Sequence, residues 1–307
     1  MIIPVYNGQR FLGDAIRSAL AQTYPATECI VVDDGSNDGS AAVARSFGPR
    51  VRVLSKENGG VASARNAGVL AASGELVAFL DADDYWLPDK LEVQMRAWLR
   101  RPWAGMCFTG YAMASGDRGR PRRRIMATEP DHRIRAATLL EGYGIAFGIT
   151  ALLTRSAIDV LGPFDERLSV SADISYAWRL LQSYEVLAIP QPLAVYRLHG
   201  RDQMHNDLDA VEHDQRLVTD HAFEAGTADH RRAIANLHTR LAFRWLLRGH
   251  AGKAIRHSRV VMAHEASRLV TLPVTAATRR IACRGLGHWP PAHPEGVLAA
   301  GALSSVP

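Results

Sequence analysis

The chain has 307 residues, with 36 Lys and Arg against 31 Asp and Glu, and 47% hydrophobic residues. This is ordinary globular composition, enough for one large domain or a domain with an appendage, and it excludes global disorder. Cys29, Cys107 and Cys283 are far apart and make no CxxC, which predicts a reducing, cytoplasmic setting rather than a disulfide framework. No signal-peptide pattern and no apolar run of membrane-spanning length is present. The chain opens directly on the strand-like Ile2-Ile3-Pro4-Val5, which leaves open a start a few residues upstream.

Ile2–Val5 reads as a strand and Phe11–Ala21 as a helix. Cys29–Val32 is a second apolar run, closing on Asp33-Asp34-Gly35-Ser36, and residues 51–57 predict a third strand. Ala62–Ala72 is alanine-rich and helical, with Gly74 expected as its C-cap. Leu76–Leu80 is wholly apolar, the pattern of a strand buried in a parallel sheet. It runs into Asp81-Ala82-Asp83-Asp84, and the chain then turns through Pro88 into a helix-like stretch.

Strands alternating with helices predict a parallel α/β sheet, which binds ligands beyond the carboxyl ends of its strands. Asn7, Asp33-Asp34, Asn58-Gly59-Gly60 and the 81–84 acids all follow strands and so converge on one edge. Turn chemistry accounts for any one of these groups but not for four together. Three carboxylates at the mouth of a buried strand repel one another and are costly to desolvate. A hard divalent cation resolves that conflict, because it takes carboxylate oxygens and bridges them to a diphosphate. Alternation along an extended segment points Asp81 and Asp83 to the same side.

From about 100 to 200 the pattern loosens. Residues 105–113 and 149–153 read as strands, residues 173–184 as a helix, and residues 193–200 as a last strand entering a loop. Between them, residues 118–124 carry five arginines in seven positions. That run is either a solvated loop or an electrostatic contact for anionic lipid headgroups or a phosphorylated acceptor. No aromatic residue interleaves with it, which argues against nucleic acid. Beyond about 212, Ile234, Leu237, Leu241 and Trp245 share one helical face. Gly249 and Gly252 interrupt it before residues 253–265 resume a helical pattern. An αα-hairpin resembling a single tetratricopeptide-type unit is one reading, and a helical tail packed on the main domain is the other. The last twenty or so residues, rich in Pro, Gly and Ala, predict a flexible tail.

Four ordered motifs, residues 2–7, 31–40, 57–68 and 79–84, make the chain similar to the family 2 glycosyltransferases with the A-type fold, over residues 2–200. The resemblance implies a Rossmann-like, mostly parallel central sheet with flanking helices. The glycosyltransferase domain would span 1–210, with its nucleotide half at about 1–100 and its acceptor half at about 101–210. A helical extension would follow over 211–288 and a tail over 289–307. The implied activity is inverting transfer of a sugar from a nucleoside diphosphate sugar, UDP- or dTDP-linked, to a glycan or lipid-linked acceptor. The implied cofactor is Mg2+ or Mn2+, and the setting is cytoplasmic, with peripheral contact at the inner membrane face.

By the same resemblance, Pro4, Tyr6 and Asn7 border the nucleoside pocket and Asp34 reads the base, with Asp33 structural. Asn58 and Gly59 belong to the donor edge, and Arg65 lies near the donor's phosphates or base. Asp81 approaches the sugar or ribose, Asp83 binds the metal and His199 completes its site. Asp173 takes the place of the catalytic base and Arg179 that of the helix arginine. The glutamate that usually precedes the base is here Ala172, so Asp173 is alternatively a helix-capping acid. Three competitors use some of these features. A sugar-nucleotide pyrophosphorylase needs a basic glycine-rich N-terminal loop that residues 4–8 do not provide. A receiver domain leaves the 81–84 acids unused, and an inactive nucleotide- or glycan-binding relative would have no reason to hold so many acids together.

Overall fold

The computed structural model describes residues 1–26, 28–115, 120–125, 146–199 and 207–265. Arg118, Gly200, Cys283 and the expected tail lie outside the described residues, as does the part of the expected extension beyond residue 265.

Three parallel strands open the fold: β1 (Ile2–Val5), β2 (Ile30–Asp33) and β3 (Arg52–Ser55). Helices α1 (Gln9–Leu20), α2 (Ser40–Arg45) and α3 (Gly60–Ala71) connect or follow them. Strand β4 (Leu76–Ala78) lies beside β1, where Leu80 N–H donates to the Ile2 carbonyl at 3.0 Å and Phe79 bridges Ile2 in parallel. The second half adds β5 (Tyr85–Trp86), α4 (Lys90–Arg100), β6 (Met106–Ser115), β7 (Arg120–Ile125) and α5 (Phe147–Thr150). It continues through β8 (Leu152–Thr154), α6 (Arg155–Leu161), α7 (Ala172–Ser183) and β9 (Val186–Leu198). The resulting strand order is β3-β2-β1-β4-β8-β6-β9-β5, with β7 on β6.

The apolar runs are explained by burial on both faces of this sheet. Ile2, Ile30 and Val32 point into a core with Phe79, Phe108, Phe147, Phe164 and Tyr176. Their chain neighbours Ile3 and Val31 point the other way, against Leu12 and Ile16 of α1 and Leu80 and Trp86. Leu12 and Ile16 are fully buried, each contributing roughly 1.5–3 kcal/mol relative to exposure. Gly68 lets α3 sit directly on β1, since a Cβ there would collide with the Ile2 side chain.

The expected α/β fold is present, with a mixed sheet: β1, β2 and β3 pair in parallel, as do β6 and β9, while β8 runs antiparallel to β4 and β6, and β5 antiparallel to β9. Some finer expectations need correction. Residues 149–150 are helical rather than extended, and α3 ends at an extended Ala72 with Gly74 two residues beyond. Arg120–Ile125 is a strand paired antiparallel with β6 rather than a loop.

The C-terminal part forms α8 (Leu208–Ala222), α9 (Ala228–Leu247) and α10 (Ala251–Glu265). The α9/α10 turn falls at Gly249, whose φ of 78° suits glycine. Gly252 sits inside the first turn of α10 and breaks nothing. Leu237, Leu241 and Trp245 pack with Leu208, Val211 and Ala254, and Val170 of the sheet domain joins them. Val218 of α8 enters the main core. The extension is therefore a helical hairpin packed on the main domain through α8.

Candidate functional site

The 81–84 turn leaves β4 at the centre of the sheet, and three other segments close on it. Asp83 Oδ2 lies 2.7 Å from His199 Nε2, just beyond β9. The next acid, Asp84, is fully buried, and its Oδ1 accepts the Arg197 backbone N–H at 2.7 Å. Burial and the charges of Asp83 and Asp81 push the Asp84 carboxyl well above its ordinary range. The Arg197 guanidinium donates to Asp14 Oδ2 of α1 at 2.8 Å and lies over the rings of Phe11 and Tyr85. Phe11 also packs against the His199 ring, with centroids 4.6 Å apart. The end of β9 is thus locked onto both the acid turn and α1.

Asp81 has a different partner, on α3. Its Oδ1 accepts from Arg65 Nη2 at 2.9 Å, and the Arg65 head lies near the Phe79 and Phe164 rings. Burial raises Asp81, with Arg65 opposing and Asp83 adding to the rise. Gly148 of α5 covers this pair so closely that a Cβ would lie 2.7 Å from Arg65 Nη2. Helix α5 is held from below: Trp86 Nε1 donates to the Ile149 carbonyl at 2.7 Å, and Gln94 Nε2 to the Thr150 carbonyl at 2.9 Å. Buried Lys90 donates to Gln94 Oε1 at 2.7 Å and lies over the Trp86 ring.

Asp173 stands in the first turn of α7, half-buried, and its Oδ1 accepts the Ile174 amide at 2.8 Å. Burial raises its pKa, Arg65 lowers it and Asp81 raises it, which ties Asp173 electrostatically to the Arg65–Asp81 pair. Arg179, two turns on, donates to the Leu161 and Pro163 carbonyls at 2.8 Å each. Its head pins the α6–α7 connection rather than reaching the acids.

Near β2, buried Asp34 accepts from Lys56 Nζ at 2.7 Å and the Gly60 amide at 2.8 Å, with the Gly59 amide at 3.1 Å. Asp33 Oδ1 accepts the Ser36 amide at 3.1 Å, a local turn. Asn7 adopts φ 50°, donates its amide to Ser36 Oγ at 3.0 Å and accepts from the Asn37 amide at 2.8 Å. It therefore staples the first two loops together. Tyr6 is 53% exposed beside it, whereas Pro4 is buried in β1. Asn58 is exposed at the head of α3.

The residues expected from sequence fall into two groups on this edge: Asp81, Asp83, His199, Arg65 and Asp173 around the acid turn, and Tyr6, Asn7, Asp34, Asn58 and Gly59 around the α3 N-terminus. Sequence reasoning missed Lys56, Gly148, Asp84 as an anchor, and Arg197. Asp84 and Arg197 were visible beside named residues, while Gly148 carried no local signal.

A family model described as glycosyl transferase family 2 matches residues 1–162. An uncharacterized glycosyltransferase of Rickettsia typhi is 31% identical over 225 residues, 71% of this chain and 69% of that protein. Among solved structures, S. aureus TarS 1-349 in complex with UDP-GlcNAc superposes with a TM-score of 0.58 at 16% identity, covering 87% of this chain and 91% of that one. The mannosyltransferase of Pyrobaculum calidifontis in complex with GDP-Man and Mn2+ gives 0.56 at 20% identity, covering 91% and 79%. These superpositions give the chain the A-type glycosyltransferase fold. The chain belongs to glycosyltransferase family 2.

Proposed function

We propose that this glycosyltransferase transfers a sugar with inversion from a nucleoside diphosphate sugar, UDP- or dTDP-linked, to a hydroxyl of a growing surface polysaccharide or lipid-linked glycan. The observation that carries the reading is the 2.7 Å approach of Asp83 Oδ2 to His199 Nε2 beside the Arg65–Asp81 pair. The donor set fits a divalent cation, Mg2+ or Mn2+: one carboxylate and one imidazole converge, and burial together with the neighbouring acids holds Asp81 and Asp84 above the usual carboxylate range. Asp83 and His199 would hold it. When bound, the cation supplies positive charge to the leaving diphosphate. The mannosyltransferase complex with Mn2+ supports this choice.

The remaining roles belong to the chain. Tyr6 offers an exposed ring for base stacking, and Asp34, which already accepts from Lys56 and the Gly59 and Gly60 amides, has one acceptor site left for an imide N–H. Asn7, Asn58 and Gly59 frame that pocket, with Pro4 beneath it in β1. Arg65 orients Asp81 toward the donor, and Arg179 fixes the loop before α7. Asp173 takes the acceptor hydroxyl proton as that oxygen bonds the anomeric carbon, while the bond from that carbon to the diphosphate oxygen breaks and its electron pair leaves with the diphosphate. A positioned base supplies ~10²–10⁴-fold.

Calorimetric binding of UDP, dTDP, GDP and CDP, with and without Mn2+, tests the donor site on wild type and Asp83→Ala. Metal-dependent binding of one nucleotide, lost in the variant, is expected, and no binding to any by folded protein overturns the reading. For the base, Asp173→Asn should fall below about a tenth of wild-type transfer.

A further inference from the structure

We propose that Glu212, His238 and His257 form a binding site for a zinc-class transition-metal ion that ties together α8, α9 and α10 of the C-terminal extension. Each residue comes from a different helix: Glu212 from α8, His238 from α9 and His257 from α10. One ligand atom from each lies within 4.8 Å of the other two. His238 Nδ1 faces His257 Nδ1 at 2.8 Å, and His257 Nε2 lies 3.7 Å from Glu212 Oε2.

The surroundings suit a metal. The two imidazoles are 4% and 1% exposed, so desolvation is already complete. Arg256 Nη2 holds Glu212 Oε1 at 3.1 Å and leaves Oε2 toward the rings. Zinc takes nitrogen and carboxylate ligands at about 2.0–2.2 Å, which sets neighbouring donor atoms roughly 3.3–3.6 Å apart. The Glu212–His257 separation, through His257 Nε2, already nears that spacing, and with one ligand atom from each residue the set lies within 4.8 Å, so a closure of roughly 1 Å brings the three donors to it.

Access is provided on the α8 side. Glu212 lines a surface groove with Asp209, His213, Arg216, Leu217 and Asp220, so an ion enters past the one ligand that reaches water. Three protein ligands leave the fourth tetrahedral position for water from that groove. Two imidazoles favour Zn2+, Co2+ or Ni2+ over Mg2+, which prefers oxygen ligands. The site is thus chemically distinct from the acid turn at Asp83, and it stands or falls independently of the transfer reaction.

The test uses the full chain carrying Asp83→Ala, stripped with chelator, so that the acid turn does not compete. Co2+ is titrated while visible absorption is recorded, and Zn2+ is added in a thermal melt. The expected result is one equivalent of Co2+ with the d–d absorption of a low-coordinate site, displaced by Zn2+, and a melting temperature that rises with Zn2+. Adding Glu212→Gln or His238→Gln should weaken Co2+ binding at least tenfold. Glu212→Gln keeps shape and sits nearest the surface, so it remains informative if a histidine variant fails to fold. Absence of the absorption in folded protein, or binding unchanged by Glu212→Gln, overturns the proposal and leaves the two histidines as a hydrogen-bonded core pair.

Discussion

Asp214 Oδ2 accepts the Ser171 amide at 3.0 Å, and the Val170 amide at 2.6 Å, across 43 and 44 residues of chain. Ser171 is the N-cap of α7, and its own side chain makes no cap. An acid of the extension thus caps the helix whose first turn carries Asp173, and the negative charge faces the positive end of that helix. Asp214 is 1% exposed, so removing it strands two backbone donors.

Asp214→Ala should therefore destabilise the protein by about 1–3 kcal/mol in urea unfolding. Transfer should fall with it even at temperatures where the variant is folded, because the α7 N-terminus loses its anchor. Asp214→Asn keeps an acceptor and should lose less on both counts. A variant with unchanged stability would show that α8 merely rests on the domain.

Gly148 gives a second handle. A methyl group there collides with Asp81 Oδ2 and comes within 2.7 Å of Arg65 Nη2. Gly148→Ala must displace either α5 or the ion pair, and α5 is tied at the Ile149 and Thr150 carbonyls. Overpacking of this kind costs roughly 1–3 kcal/mol. Donor turnover should drop at least about tenfold, since small displacements at a reacting centre are costly. A steady-state comparison showing wild-type kcat/KM would dissociate the Arg65–Asp81 pair from catalysis.

Much of this edge was legible because local chemistry announced it. Apolar runs ending in Asp33-Asp34 and in Asp81 mark strand ends, and glycines at 59 and 60 mark a helix start. The meeting of Asp83 with His199 spans 116 residues and depends on β9 running beside both β6 and β5, which no spacing reveals. Residues 149–153 read as one strand, yet 149–150 close helix α5 and only 152–153 belong to β8, because so short an apolar run carries no period. Asp214 carries no sequence signal as a helix cap, since its burial and its amide partners come from tertiary packing. Arg179 matched a motif position, yet its guanidinium is spent on two carbonyls.

The Asp83–His199 pair predicts a metal effect separable from turnover. Millimolar Mn2+ should raise the melting temperature of wild type, because a ligand bound only to the folded state stabilises it by mass action. Asp83→Ala should abolish that rise and His199→Ala should reduce it. Measurements in the Glu212→Gln background exclude a contribution from the extension. An undiminished rise in Asp83→Ala would move the cation elsewhere.

Lys90 predicts a stability that climbs with pH. Burial pushes its ammonium from about 10.5 down to about 7, while Gln94 Oε1 and the Trp86 face are its partners among the described residues. Between those values the unfolded chain binds the proton that the folded chain has released, so unfolding free energy rises with pH across this window. Lys90→Met should flatten that slope while filling the same space. Denaturant melts at neutral and at mildly alkaline pH decide it, and an equal slope in both proteins would mean that Lys90 stays charged when folded.

Arg65 links the pair at Asp81 to the proposed base. Its positive charge lowers Asp173 against burial and against Asp81, both of which raise it. Arg65→Gln removes the only lowering charge among those three influences, so the Asp173 carboxyl should titrate at a higher pH. A base acts when deprotonated, and the acidic limb of kcat/KM should therefore shift upward in pH. The plateau should fall as well, because Asp81 loses its 2.9 Å partner. The shift of the limb is the diagnostic part, since lost donor binding alone lowers the plateau without moving the limb. A limb that stays in place in Arg65→Gln, with turnover still measurable, would take Asp173 out of the proton transfer and leave it as a first-turn acid of α7.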